Sequence, residues 1–227
     1  MRPLAIDLFC GLGGWTEGLL AEGYDVIGFD IEPHVYGDER YPAQLVLQDV
    51  LTLHGSQFRN AALIVASPPC QAYSYRAMPW KRAKALPPPD NSLFEACFRI
   101  QREACEAAGR HIPMVVENVR GAQKWVGRAQ WHYGSFYLWG DVPALMPIVR
   151  KHAKVPGLKA FNDTAIKNTG GSWFGVANNT TSGHSNNPFH HLMRTGHSKS
   201  TARKLASALI AKIPLPLSTH IARVYKP

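Results

Sequence analysis

The sequence predicts an α/β fold built around an open sheet, and three observations carry that expectation. Short apolar runs of strand length recur at 4–9, 25–29, 61–66 and 112–116. The first is followed by a glycine turn, Cys10-Gly11-Leu12-Gly13-Gly14, and then by a helical stretch, the order of a strand–turn–helix unit. The runs also end in residues with chemistry: Asp30, Pro68-Pro69-Cys70 and Glu117. Open α/β sheets place their ligands at such carboxyl ends.

Length and composition set bounds. A chain of 227 residues holds one good core with a small appendage. No stretch approaches 18 consecutive apolar residues, and the start lacks a charged-then-apolar signal pattern, so a soluble, intracellular protein is expected. The four cysteines show no CxxC pairing, which argues against a zinc site or a disulfide framework. The net charge of +9 is unevenly spread. Residues 141–227 carry 12 Lys/Arg against Asp141 and Asp163, a balance of +10, whereas the first 140 residues stand at −1. A near-neutral half joined to a basic half suits a chemical domain beside a polyanion-binding surface, or simply a solvated basic face.

In order, the run 4–9 suits a central strand and 16–22 a helix, with a glycine turn between them that lets backbone amides approach a ligand. The glycine spacing is not the dinucleotide fingerprint. The second strand ends in Asp30-Ile31-Glu32, where an acid either accepts ribose hydroxyls or stands solvated. A third strand, Gln44–Leu47, ends at Gln48-Asp49-Val50. The run 61–66 must stop at Pro68-Pro69, since proline has no backbone donor and fixes φ. Cys70 then has two readings, a small apolar residue under a turn or a nucleophile past a strand end.

The loop 72–89 interleaves Arg76, Lys81, Arg82 and Lys84 with Tyr73, Tyr75 and Trp80. That mixture suits phosphates and unstacked bases, and it also suits a plain connector. Asp90 or Asn91 caps a helix to about residue 108, with Cys97 and Cys105 on its core stripe. The run 112–116 leads into Glu117-Asn118-Val119, and a carboxylate at a buried strand end is costly unless paired or used. Residues 133–138 read as one more strand, followed by Trp139-Gly140-Asp141. From about 150 to 200 the periodicity dissolves, and 162–187 reads as loop or weak strand. His184, His190, His191 and His197 fall here at no standard metal spacing. Residues 201–212 and 215–224 read as two helices parted at Pro214.

Together these stretches resemble the DNA (cytosine-5) methyltransferase family. Asp7-Leu8-Phe9-Cys10-Gly11-Leu12-Gly13-Gly14 is similar to its first motif, Asp30 to its ribose acid and Ile31 to the residue packing on adenine. Asp49, followed by Val50, is similar to its adenine-contacting acid. Pro68-Pro69-Cys70-Gln71-Ala72-Tyr73-Ser74 resembles its nucleophile motif, Asn91-Ser92-Leu93-Phe94 the next segment, and Glu117-Asn118-Val119 its catalytic Glu-Asn-Val. Order and spacing agree over about half of the chain. Beyond that the sequence departs from the family. The Gln-x-Arg-x-Arg motif falls on Gln130-Trp131-His132-Tyr133-Gly134 without its arginines, leaving Arg128 or His132 as substitutes. The last motif resembles 213–217 with 221–222, its Gly-Asn replaced around Ala211-Lys212.

The resemblance implies a Rossmann-like S-adenosylmethionine-dependent methyltransferase fold, with residues 1–140 as the catalytic and cofactor-binding core. It implies a reduced, loop-rich target-recognition region at 141–197 and C-terminal helices, 198–227, that return to the core, the form of a minimal phage- or prophage-type member. S-Adenosylmethionine, leaving as S-adenosylhomocysteine, would be held by Asp7, Phe9, Gly11, Leu12, Gly13, Asp30, Ile31, Asp49, Val50, Pro69 and Leu93. Catalysis would fall to Cys70 and Glu117 with Gln71, Asn118 and His132, without metal. Double-stranded DNA would meet Ser74, Arg76, Lys81, Arg82 and Lys84, in the cytoplasm of a bacterial or phage-infected cell, with no membrane and no obligatory protein partner. The +10 balance and the small recognition segment lead to an expected target of roughly two to four base pairs. The alternatives are an RNA (tRNA) cytosine-5 methyltransferase, told apart by A-form against B-form substrate, and a catalytically inactive DNA-binding relative, which would be marked by loss of Cys70 or Glu117.

Overall fold

The computed structural model describes residues 2–74, 87–147 and 201–227. Arg76, Lys81, Arg82 and Lys84, the four histidines between 184 and 197, and most of 141–197 lie outside the described residues.

Among the described residues, seven strands form one sheet: β1 (Leu4–Leu8), β2 (Asp25–Asp30), β3 (Gln44–Leu47), β4 (Leu63–Ala66), β5 (Met114–Asn118), β6 (Trp131–Tyr133) and β7 (Phe136–Gly140). Their order is β3-β2-β1-β4-β5-β7-β6. The first five run parallel, while β7 is antiparallel to β5 and to β6. Buried parallel strands read as continuous apolar runs because both faces are covered. Leu63, Ile64, Val65 and Ala66 of β4 are all fully buried accordingly. From β1 the chain moves outward to β2 and β3, then returns to place β4 on the other side of β1. The crevice where strand order reverses therefore lies between β1 and β4, at their carboxyl ends.

Helices cover both faces: α1 (Gly14–Ala21), α2 (Ser92–Ala108), the single turn α3 (Gln123–Val126), α4 (Thr201–Ala211) and α5 (Leu215–Val224). Ile6, Leu8, Ile64, Met114 and Val116 pack on one face against Phe94, Cys97, Ile100 and Ala104 of α2. Ala5, Val26, Leu63, Val65 and Leu138 pack on the other against Trp15 and Leu19 of α1 and Leu217 and Ile221 of α5. The C-terminal helix is tied down by Tyr24, whose hydroxyl donates to the Ala222 carbonyl at 2.9 Å, and by the ion pair of Arg223 with Glu22.

One expectation needs correction, and one pair of candidates is resolved. Residues 133–138 are not one strand but the turn of a hairpin, because Gly134-Ser135 makes a two-residue loop between paired Tyr133 and Phe136. Asn91 stands at the N-cap of α2 without capping it by its side chain. Asp90 Oδ1 takes the Ser92 N–H at 2.8 Å, while Asn91 Oδ1 accepts from the Tyr73 hydroxyl at 2.9 Å.

Candidate active site

Parallel pairing of Ala66 with Val116 sets the segment after β4 beside the end of β5. Asn118, 1% exposed, donates from Nδ2 to the Pro68 carbonyl at 3.0 Å. The Ser67 N–H donates to the Leu8 carbonyl at 3.1 Å, and its hydroxyl accepts the Trp15 indole N–H at 3.0 Å. The Pro68-Pro69 segment is thus held from both neighbouring strands and from α1. Cys70 follows, half-buried, at the N-cap of a helical turn, Gln71–Tyr73, and the Tyr73 N–H returns to the Cys70 carbonyl at 3.0 Å. Gln71 is exposed, and Ser74 closes the turn half-buried. Glu117 is buried on β5, one residue before the Asn118 that grips Pro68. Pro68, Pro69, Gln71, Tyr73, Leu93 and Phe94 line part of a hollow of about 250 Å³ beside this turn.

The other cysteines sit elsewhere. Cys97 is fully buried in α2, and burial pushes its thiol up to about 12, which disfavours a thiolate. Cys105 exchanges hydrogen bonds with the backbone of Ile112. Cys10 is buried beneath the glycine turn, its thiol raised by burial and then by the nearby Asp7.

His132 does not join Cys70 and Glu117. Registered partners share a face of a sheet, and the pairs Asn118–Tyr137 and Tyr137–His132 put His132 on the face of Asn118, opposite that of Glu117. Its ring stacks on Tyr137 with centroids 5.0 Å apart, and Nδ1 faces the Gly134 carbonyl. Arg128 lies exposed before β6.

Across the crevice, the turn after β1 meets the ends of β2 and β3. Phe9 adopts a left-handed backbone, φ 57°, that swings the chain off the strand. The Gly11 N–H donates to Asp30 Oδ2 at 2.9 Å, and a Cβ on Gly11 would meet nothing within 4 Å among the described residues, which leave the outer side of the turn open. Asp30 Oδ1 takes the Glu32 N–H and faces His34 Nε2, both at 3.2 Å. Burial pushes the Asp30 carboxyl up, but these hydrogen bonds prevail and hold it below the usual range. Ile31 is 69% exposed beside it, an apolar surface with a carboxylate at its edge. At the end of β3, Asp49 is exposed and accepts the Leu51 N–H at 2.9 Å, while Val50 is buried. Leu12 and Gly13 are buried under the glycine turn.

Beneath the turn lies a polar chain that sequence reasoning missed. Thr16 donates to Asp7 Oδ2 at 2.6 Å, so its single hydroxyl proton is used and the Tyr41 hydroxyl, 2.7 Å away, donates to Thr16. Asp7 has no exposed surface, and its Oδ1 lacks a hydrogen-bond partner among the described residues. Burial raises its carboxyl to about 8, with the charge of Asp30 adding to the rise. The one legible signal was Gly28, since a glycine inside a strand marks a close approach. A Cβ there would sit 2.3 Å from the Tyr41 ring.

An open backbone turn, a hydrogen-bonding acid, an exposed aliphatic side chain and an orphaned buried carboxyl oxygen fit the parts of S-adenosylmethionine: an amino-acid tail, a ribose diol and an adenine. Asp7, Phe9, Gly11, Asp30, Ile31 and Asp49 converge here, and Pro69 and Leu93 approach from the Cys70 side.

Comparison with known proteins places the chain in a family. The sequence profile of the C-5 cytosine-specific DNA methylase domain matches residues 4–125. Among solved structures, a candidate DNA modification methyltransferase encoded within an Escherichia coli prophage is 26% identical over 56% of this chain and 35% of its own, with a TM-score of 0.38. The Dnmt2 methyltransferase of Schizosaccharomyces pombe is 18% identical over 56% of this chain and 37% of its own, with a TM-score of 0.39. The Entamoeba histolytica methyltransferase EhMeth gives 18%, 56%, 41% and 0.39 for the same quantities. In each case the match takes in well under half of the relative's length. No curated protein matches the chain.

Proposed function

The chain belongs to the C-5 cytosine-specific DNA methylase family, and we propose that it transfers a methyl group to carbon 5 of a cytosine flipped out of a short duplex DNA site. The observation that carries this is the hydrogen bond from Asn118 to the Pro68 carbonyl, which locks the Cys70 turn to the strand end bearing Glu117. In this reading Cys70 is the nucleophile and Glu117 the acid that act on one ring.

Carbon 5 of cytosine is a poor nucleophile and needs activation. The Cys70 thiolate attacks carbon 6, and its electron pair becomes the new S–C bond. Glu117 holds a proton at ring nitrogen 3, which accepts the displaced electron density and leaves carbon 5 enamine-like. S-Adenosylmethionine, the methyl donor of this family, supplies an electrophilic methyl group when bound. Once carbon 5 is methylated, solvent water takes its proton, the C–H electron pair re-forms the carbon 5–carbon 6 double bond, and the C–S pair leaves on sulfur to return Cys70 as its thiolate. Asn118 and Ser67 keep the Pro68-Pro69 segment fixed while the ring reacts, and Gln71 and Ser74, in the same turn as Cys70, are assigned to meeting the incoming base. Asp30, Ile31 and Asp49 hold the adenosine part, with Asp7, Phe9, Gly11, Leu12, Gly13, Val50, Pro69 and Leu93 shaping the rest of the cofactor site.

A duplex hides the reacting atoms, so the target base leaves the stack at a cost of a few kcal/mol. Phosphate contacts from Arg76, Lys81, Arg82, Lys84 and the basic segment 141–197 offset that cost. Incubation with methyl-labelled S-adenosylmethionine tests the proposal. Label should enter duplex DNA as 5-methylcytosine and stay out of an RNA duplex of the same sequence. Label in RNA alone would move the substrate to RNA, and label in neither would end the enzymatic reading.

A further inference from the structure

We propose that His34 is a displaceable occupant of the ribose site, its imidazole taking the Asp30 oxygen that a ribose hydroxyl needs, so that cofactor binding swings it out and competes with protons. This rests on Asp30 being the ribose acid.

A carboxylate offers about four lone-pair sites. On Asp30 three are engaged among the described residues: Oδ2 by the Gly11 N–H, and Oδ1 by the Glu32 N–H and His34 Nε2. A diol needs two acceptors, one more than remains. The two backbone donors belong to the turns that shape the site, so the imidazole is the group that can leave. Its attachment suits departure. His34 sits at φ 45°, a left-handed conformation that is uncommon for a residue other than glycine. Its ring is partly exposed, and its other nitrogen lies 3.4 Å from the Tyr36 hydroxyl on the same loop. Ile31, Glu32, Pro33 and Val35 around it are exposed, so movement of this loop disturbs no core residue among those described.

The charges make the contact proton-dependent. Asp30 and Glu32 favour the imidazolium and Lys204 of α4 opposes it, while Asp7 and Cys10 stand behind Asp30. Hydrogen bonding to Asp30 holds His34 above its ordinary value. The protonated pair is charge-assisted and resists the ribose, and loss of the proton loosens it. Cofactor affinity therefore rises with pH as His34 titrates.

S-Adenosylhomocysteine binding by calorimetry from pH 5.5 to 8, with NMR of the His34 ring nitrogens, tests this. Wild-type affinity should rise on the order of tenfold across the range, and every unit by which the ligand lowers the His34 midpoint should appear as tenfold in affinity. His34→Asn, which tolerates the left-handed backbone, should bind more tightly at pH 5.5 and lose that part of the pH dependence. The proton on Asp7 contributes to both proteins and cancels in the comparison. A His34 midpoint that stays put or rises with ligand, or a His34→Asn profile parallel to wild type, overturns the proposal. Asp30→Ala serves as the separate check. If it leaves affinity unchanged, the ribose acid lies elsewhere and the site assignment fails as well; if it weakens binding while the His34 results are negative, only the displacement falls.

Discussion

Asp7 bears a carboxyl whose ionisation the fold disfavours. Its carboxyl is fully buried, receives one hydrogen bond from Thr16 and is raised to about 8 chiefly by desolvation. The folded chain therefore binds this proton more tightly than the unfolded chain does. Its stabilising contribution is complete below the ordinary value of 3.8 and is lost as pH rises through about 8. Asp7→Asn, which mimics the protonated form, should gain on wild type by up to about 1.4 kcal/mol per pH unit across that window. Urea unfolding at several pH values would read it, and a constant difference between the two proteins would contradict the assignment. Glu117 makes a different prediction. If it holds a proton at the base, Glu117→Gln should slow methyl transfer by roughly 10²- to 10⁴-fold while leaving S-adenosylhomocysteine affinity unchanged. A large loss of ligand affinity would instead mark Glu117 as part of the cofactor site.

At the scale of elements, the contact between α1 and α5 decides how the C-terminal segment is held. Gly18 lies so close to α5 that a Cβ would stand 2.4 Å from the Ser218 backbone. Alanine is the better helix former, yet Gly18→Ala should destabilise the protein by about 1–3 kcal/mol, because backbone cannot yield as a side chain can. Thermal unfolding would show a lowered midpoint, and a raised one would mean that the helices part without cost. Elements that depend on local pattern were legible in the sequence: Gln44–Leu47 was expected within the bounds found, and Leu215–Val224 likewise. The hairpin was not, because Gly134-Ser135 interrupts only two residues of an otherwise aromatic run. Cys70, Glu117 and Asp30 were legible because each ends an apolar run. The chain Asp7–Thr16–Tyr41 was not, since it depends on a fold that joins side chains from separate elements, and the pairing of His34 with Asp30 was not, since it depends on the left-handed backbone of the loop after β2.

On the scale of the whole molecule, sheet order explains why chemistry gathers at one crevice. The reversal between β1 and β4 leaves a gap at their carboxyl ends, with the glycine turn and Asp30 on one side and the Cys70 turn and Glu117 on the other. Charge is segregated along the chain as well, with residues 141–227 at +10. Binding to DNA should therefore weaken steeply with salt, each neutralised phosphate adding about −0.9 to the slope of log K against log salt. Because phosphate contacts carry no sequence information, the site read should be short, about two to four base pairs. Binding across a salt series and methylation mapping would check both, and a required site of six or more pairs would contradict the second. The central claim, that Cys70 attacks the target ring, is tested most directly by duplex DNA carrying 5-fluorocytosine, in which fluorine blocks the final elimination. With S-adenosylmethionine present, the wild-type protein should be trapped as a covalent adduct with the DNA, as should Cys97→Ala and Cys105→Ala, while Cys70→Ala should give none. An adduct that survives loss of Cys70, or no adduct from a protein that methylates the unfluorinated duplex, would contradict it.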